Sequence, residues 1–208
     1  MKSAEHGRQS LVVRHFDGLV EYESCWESMQ AFTRKRDAQT DDQLWLLQHS
    51  PVFTTGIRNA DQDVPNPGAI PVVATDRGGL VTYHGPGQLV IYTMLDLTRL
   101  GSGLKALVAD LEQITIDLLA RHNIAAARRD NAPGVYADGA KIASLGLRVQ
   151  HGCTYHGLSL NVDMDLSPFQ RIVPCGLAGI EMTDMRSQGA AINPDEIGLQ
   201  FAELFAAM

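Results

Sequence analysis

Three cysteines in 208 residues, Cys25, Cys153 and Cys175, are too few and too scattered to build a framework. They form no CxxC metal pair and no even-numbered disulfide set. A reduced, cytoplasmic setting is the simplest reading of such thiols. Long apolar runs are missing too. Nothing approaches the roughly 20 residues that a membrane span needs, and Met1-Lys2-Ser3-Ala4-Glu5-His6-Gly7 lacks the apolar core of a secretory signal. Positive charge is not in excess: the net charge of −7 argues against nucleic acid as the main partner. No internal repeat and no low-complexity tract appears. What remains is an ordinary globular balance, 45% hydrophobic and 20% charged, with a length that fits a single domain over 1–208. The basic clusters Arg34-Lys35-Arg36 and Arg128-Arg129 read as solvated surface, or else as local landing points for an acidic protein.

Along the chain, Leu11-Val12-Val13 reads as a first strand. Tyr22, Trp26, Met29 and Phe32 recur at helical spacing and predict a helix within about 19–38. Cys25 sits in that pattern as a small packing residue. Gln43 to His49 is an apolar run of the buried-strand kind, and residues 57–68 read as a loop. Ile70 to Val73 and Gln88 to Leu95 read as further strands. Ser102 is the expected cap of the clearest helix. Leu104, Leu107, Val108, Leu111, Ile114, Leu118 and Leu119 trace its apolar stripe, which reads as core. Short strands follow, turned at Asp138-Gly139 and His151-Gly152, with Cys153 inside one of them. Ser167-Pro168-Phe169 opens a short helical turn, 172–177 is irregular, and Asn193-Pro194 caps a C-terminal helix. The order is not a regular βαβ alternation. It predicts an α+β fold with a mixed, mostly antiparallel sheet flanked by helices.

The stretch that shapes a site is Arg77 to Tyr92. Gly78-Gly79 and Gly85-Pro86-Gly87 punctuate a strand over Leu80–Tyr83, and alternation puts Thr82 and His84 on one face. A plain Gly-Pro-Gly hairpin with a solvated histidine is the competing reading. Cys175, between Pro174 and Gly176, stands on a kink that leaves a thiol uncrowded, but a lone cysteine is also a common inert core residue. Lys141 follows an Asp-Gly turn and begins a strand of small and aliphatic residues. It is either an edge-strand guard or an amine for acid/base work. Ser144-Leu145-Gly146 and His156-Gly157-Leu158-Ser159 line a narrow apolar slot, or are close strand packing.

Four segments, in order, resemble the octanoyltransferases of lipoic acid biosynthesis, within the biotin/lipoate protein ligase superfamily. They are Arg77 to Gln88, Gly134-Val135-Tyr136 through Lys141 to Gly146, His156-Gly157 with Asn161, and Pro174-Cys175-Gly176. The similar region runs from about residue 11 to 186. The resemblance implies a biotin/lipoate protein ligase-like fold and a cysteine/lysine dyad, with Cys175 as nucleophile and Lys141 as its activator. It assigns the acyl-binding site to Arg77, Gly78, Gly79, Leu80, Val81, Thr82, Tyr83 and His84, to Ser144, Leu145 and Gly146, and to Gly157, Leu158 and Ser159. His49, His156 and Asn161 are further candidates.

The implied donor is octanoyl-acyl carrier protein. The implied acceptors are lysines on lipoyl domains of 2-oxoacid dehydrogenase complexes and on the glycine cleavage H protein. The enzyme so implied is a monomer. Transfer from a thioester needs no metal, ATP or other cofactor, because the thiol leaves readily. Alternatives are an ATP-dependent lipoate or biotin protein ligase, a cysteine thioesterase using the same acyl-enzyme, and a non-catalytic acyl-binding protein.

Overall fold

The computed structural model describes residues 11–58, 64–172 and 180–208. The chain starts with strand β1 (Leu11–Val20), helix α1 (Tyr22–Lys35), β2 (Asp42–His49) and β3 (Val52–Thr55). Short strands β4 (Val72–Ala74) and β5 (Thr82–His84) lead to β6 (Gln88–Met94), a four-residue α2 (Leu97–Leu100) and the long α3 (Leu104–Arg121). Then come β7 (Ala126–Ala127), β8 (Val135–Ala137), β9 (Ala140–Gln150), β10 (Cys153–Asn161), a 3-10 turn over Ser167–Arg171 and α4 (Pro194–Ala206).

Seven strands form one sheet in the order β1-β2-β6-β10-β9-β8-β7. Only β1 and β2 pair parallel in it; the other neighbours are antiparallel. A smaller sheet, β4-β3-β5, mixes one parallel and one antiparallel pairing. This is the α+β arrangement expected. The apolar runs of β2 and β6 do not alternate with polar residues because both faces are covered. Leu44, Leu46, Leu89 and Ile91 pack with α3 and α4, including Leu111 and Phe201. Trp45, Leu47, Val90 and Tyr92 pack on the other side with Cys25 and Met29 of α1. Among the described residues no helix is long and apolar enough to cross a membrane.

Several local expectations change. The cap of α3 is Gly103, with no side-chain bond, rather than Ser102, and the additional short helix α2 is capped by Asp96 instead. Cys153 opens β10 rather than falling inside a strand. The α3 stripe is not all core, since Leu104 and Val108 line the cavity described below. Lys141 is no edge guard: β9 is flanked by β10 and β8, and the lysine is buried. The basic clusters are not simply solvated. Arg128 reaches Glu112 at 3.1 Å and Arg129 lies over the Tyr136 ring. The Arg36 guanidinium is buried against Asp42 (2.5 Å) and donates to the Met94 carbonyl oxygen (2.6 Å), which pins the end of α1 to the start of β2. The irregular 172–177 stretch lies, but for Ile172, outside the described residues.

Removing one member of a buried pair leaves the other charge uncompensated. Asp42→Ala is therefore expected to cost about 3 kcal/mol, read as a lowered urea midpoint. A loss below about 1 kcal/mol would place the pair with weak surface ion pairs instead.

Candidate active site

Residues 75–81 join β4 to β5 of the small sheet. There the backbone crosses β9 closely: the Gly78 N–H donates to the Leu147 carbonyl oxygen at 2.9 Å. A Cβ on Gly146 would stand 2.9 Å from the Gly78 oxygen. Glycine at both positions is what lets two backbones meet this closely. The crossing roofs a cavity of about 570 Å³. Its wall takes the whole run from Arg77 to Thr82 with His84, then Ser144-Leu145-Gly146, and His156 to Ser159. Thr82 and His84 do share the cavity side. Tyr83, between them, turns away into a separate cluster with Phe53 and Phe169.

Lys141 enters the same wall. Its Nζ donates to the Pro133 carbonyl oxygen at 2.9 Å and lies 5.7 Å from the centroid of the Tyr136 ring. Its backbone is paired on both sides, with Tyr136 of β8 and, by a parallel bridge, with Met182. Arg77 is the second cation. Its Nη2 donates to the Thr54 backbone oxygen (2.6 Å) and hydroxyl (2.9 Å), which fixes the guanidinium against β3. Cys175 lies outside the described residues.

The histidines are held neutral, and hydrogen bonds fix which nitrogen carries the proton. His49 does not line the cavity. Its Nδ1 faces the Val20 carbonyl oxygen (2.7 Å), which can only accept, so Nδ1 is the donor and Nε2 accepts from the Tyr92 hydroxyl (2.7 Å). Burial lowers His49 to about 4. His84 ends a longer relay. Asn161 Nδ2 donates to the Thr183 oxygen, and Gln88 Nε2 donates to Asn161 Oδ1 and to the Tyr83 oxygen. The two backbone carbonyls pin both amides, so Gln88 Oε1 must accept from His84 Nδ1 (2.7 Å). Nε2 of His84 is then the unprotonated nitrogen. Burial, followed by repulsion from His49, lowers His84 to about 3. Asn161 therefore acts behind the wall rather than in it.

His156 shows a third arrangement. Its Nε2 meets Asp76 Oδ1 at 3.0 Å, and its Nδ1 is buried with no hydrogen-bond partner among the described residues. Burial lowers His156 below the usual histidine range, against the pull of Asp76. Burial alone would raise the Asp76 carboxyl. Hydrogen bonds from His156, Tyr155 and Trp26 outweigh it and hold the group well below the usual carboxylate range. Asp76 thereby ties α1 and β10 to the residue before Arg77. The sequence reading missed Asp76, although it directly precedes the glycine-rich stretch. It also missed Tyr22, Tyr92 and Arg58, which line the cavity and carry no local signal. Among the described residues, no group of three or more metal-ligating side chains comes together.

His49 and His84 give a signed pH dependence. In the unfolded chain they titrate near 6.5; in the fold His49 does so at about 4. Between those values the unfolded state binds more protons, so stability is complete above about 6.5 and falls as pH drops towards about 4. Denaturant midpoints measured across that window are expected to fall in the wild type and to fall less steeply in His49→Gln. A flat wild-type profile would mean that the two imidazoles are not buried as neutral groups.

Known proteins place the site in context. A model of the lipoyl protein ligase A/B catalytic domain family matches residues 21–206. The octanoyltransferase of Pseudomonas syringae pv. tomato is 54% identical over 183 residues, 88% of this chain and 84% of that protein. Among solved structures, a bipartite lipoate protein ligase studied with its E2 lipoyl domain from Thermoplasma acidophilum superposes with a TM-score of 0.71 at 15% identity, covering 95% of this chain and 84% of that one. The biotin protein ligase of Aquifex aeolicus superposes with a TM-score of 0.53 at 11% identity, covering 95% and 67%. At these identities the two structures speak for the fold, and it is the family match together with the close relative that shows the chain to belong to the lipoyl protein ligase A/B catalytic domain family, on the side of its octanoyltransferases.

Proposed function

We propose that octanoyl transfer, the acyltransferase chemistry of these relatives, runs here through a thioester on Cys175 with Lys141 as its proton-handling partner. The donor is an octanoyl thioester on acyl carrier protein. The acceptor is the ε-amine of a lysine on a lipoyl domain of a 2-oxoacid dehydrogenase complex or on the glycine cleavage H protein. The observation that carries this reading is the buried Lys141 amine in the wall of the cavity that Arg77 to Thr82, Ser144 to Gly146 and His156 to Ser159 also line. The segment that follows Cys175 in the sequence supports it, since Glu181 and Thr183 bond to the Lys141 backbone.

The steps balance without an outside reagent. Lys141 takes the proton of the Cys175 thiol, and the thiolate attacks the thioester carbonyl carbon. The carrier's sulfur leaves with the electron pair and takes the proton from Lys141. The acceptor amine then attacks the acyl-cysteine. Lys141 takes a proton from that nitrogen and returns it to the departing Cys175 sulfur. A polarised N–H near the carbonyl oxygen adds typically on the order of 3 kcal/mol. The chain is gripped by roughly 0.8 kcal/mol per buried methylene. Each methylene of difference is consequently discriminated only about fourfold by that grip.

Intact-protein mass spectrometry after mixing with octanoyl-acyl carrier protein tests the reading. The wild type is expected to gain one octanoyl group that a lipoyl domain discharges, and Cys175→Ala to gain none. Lys141→Arg is expected to be severely impaired, because the guanidinium cannot give up its proton; near-normal turnover would remove Lys141 from proton transfer. Acylation that appears only with Mg-ATP would make the protein a ligase. Free octanoate released as fast without the lipoyl domain as with it would make it a thioesterase.

A further inference from the structure

Glu112 is a carboxylate buried in the middle of α3, and the chemistry above does not use it. It stands behind the cavity wall. Its Oε2 accepts from Arg128 Nε at 3.1 Å. Arg128 is braced in turn by Ala109 and Gln113 of the same helix, at 2.7 and 2.9 Å. The other oxygen, Oε1, accepts from the backbone N–H of Gly134 at 2.9 Å. That N–H belongs to the peptide unit whose carbonyl is Pro133 C=O, and this is the carbonyl that takes the Lys141 Nζ hydrogen bond at 2.9 Å. One peptide is thus held from both ends. In a trans peptide the N–H and C=O point in opposite directions, so a single rigid unit joins Glu112 on one side to Lys141 on the other.

The loop is shaped for this contact. Gly134 has φ +137°, and a Cβ there would stand 2.5 Å from Lys141 Cε and 2.7 Å from the Ala143 oxygen. The lysine stem runs through space that any other residue would fill. A carboxylate bound to the N–H also polarises the peptide, which makes the carbonyl a stronger acceptor for an amine. We infer that Glu112 is a positioning residue for Lys141, acting through the Pro133–Gly134 peptide. The inference rests on the proposed role of Lys141 for its catalytic consequence. Its geometric part, the grip on the amine, does not depend on that role.

The test measures octanoyl loading of Cys175 by rapid-quench mass spectrometry in Glu112→Ala and Glu112→Gln. Misplacing a reacting group by about 1 Å costs on the order of 100-fold in rate, and Glu112→Ala is expected to slow loading by that order with the KM for octanoyl-acyl carrier protein unchanged. Glu112→Gln keeps an acceptor for the Gly134 N–H and is expected to recover most of the loss. Placed in a Lys141→Ala background, Glu112→Ala is expected to add nothing. Losses that multiply in the double variant, or a KM that rises in step with the fall in rate, would overturn the inference. A second readout is the rate at which acetyl N-hydroxysuccinimide ester modifies Lys141, mapped by peptide mass spectrometry. It is expected to rise several-fold in Glu112→Ala and to stay near the wild-type rate in Glu112→Gln, and wild-type labelling in Glu112→Ala would overturn the inference even if Lys141→Ala transferred octanoate normally. That last result, by itself, counts against the dyad and not against the grip.

Discussion

The close crossing of the 77–79 backbone over β9 is the constraint on which the site depends. Two glycines, Gly78 and Gly146, let the strand approach until the Gly78 N–H reaches the Leu147 oxygen. Without that contact the cavity would lack its roof. Arg77 and Asp76 then serve as its fastenings. The arginine is hydrogen-bonded to Thr54 below, and the aspartate gathers Trp26, Tyr155 and His156 above. Three distant pieces of chain meet there, which is why the chemistry of one element cannot be separated from the packing of the others.

Electrostatically the cavity is a cationic place in an acidic protein. Arg58, Arg77 and Lys141 stand in its wall, while the nearby imidazoles stay uncharged because burial lowers them. A neutral histidine lends shape and a fixed hydrogen-bond direction without adding charge. Positive charge in this wall favours negative charge at the reacting atoms, which is what the proposed thiolate and a tetrahedral oxyanion both require.

Much of this was legible in the letters. The element order, the Asp138-Gly139 and His151-Gly152 turns and the Asn193 cap all follow from local rules, and the structure bears them out. The glycine-rich stretch announced a site because its entropy cost has no other obvious return. What was not legible depended on pairing between distant strands. Lys141 sits at a position that looks like an edge until Met182 is seen beside it, and Arg36 looks solvated until Asp42 meets it. Tyr22 and Tyr92 are buried, and they also line the cavity. Leu104 and Val108 likewise belong to a helical stripe whose first turn overruns the core into the cavity.

The amide relay behind His84 has a further consequence for how the protein ages. Its direction is set at two points by backbone carbonyls that can only accept, so each side-chain nitrogen in it must be a nitrogen. Deamidation of Asn161 or Gln88 changes neither shape nor volume by any amount that packing would notice. It does set acceptor against acceptor at Thr183 or Tyr83, and the new carboxylate draws a proton towards an imidazole that the fold keeps neutral. Slow spontaneous hydrolysis of a single amide is therefore enough to alter the face that His84 presents to the cavity.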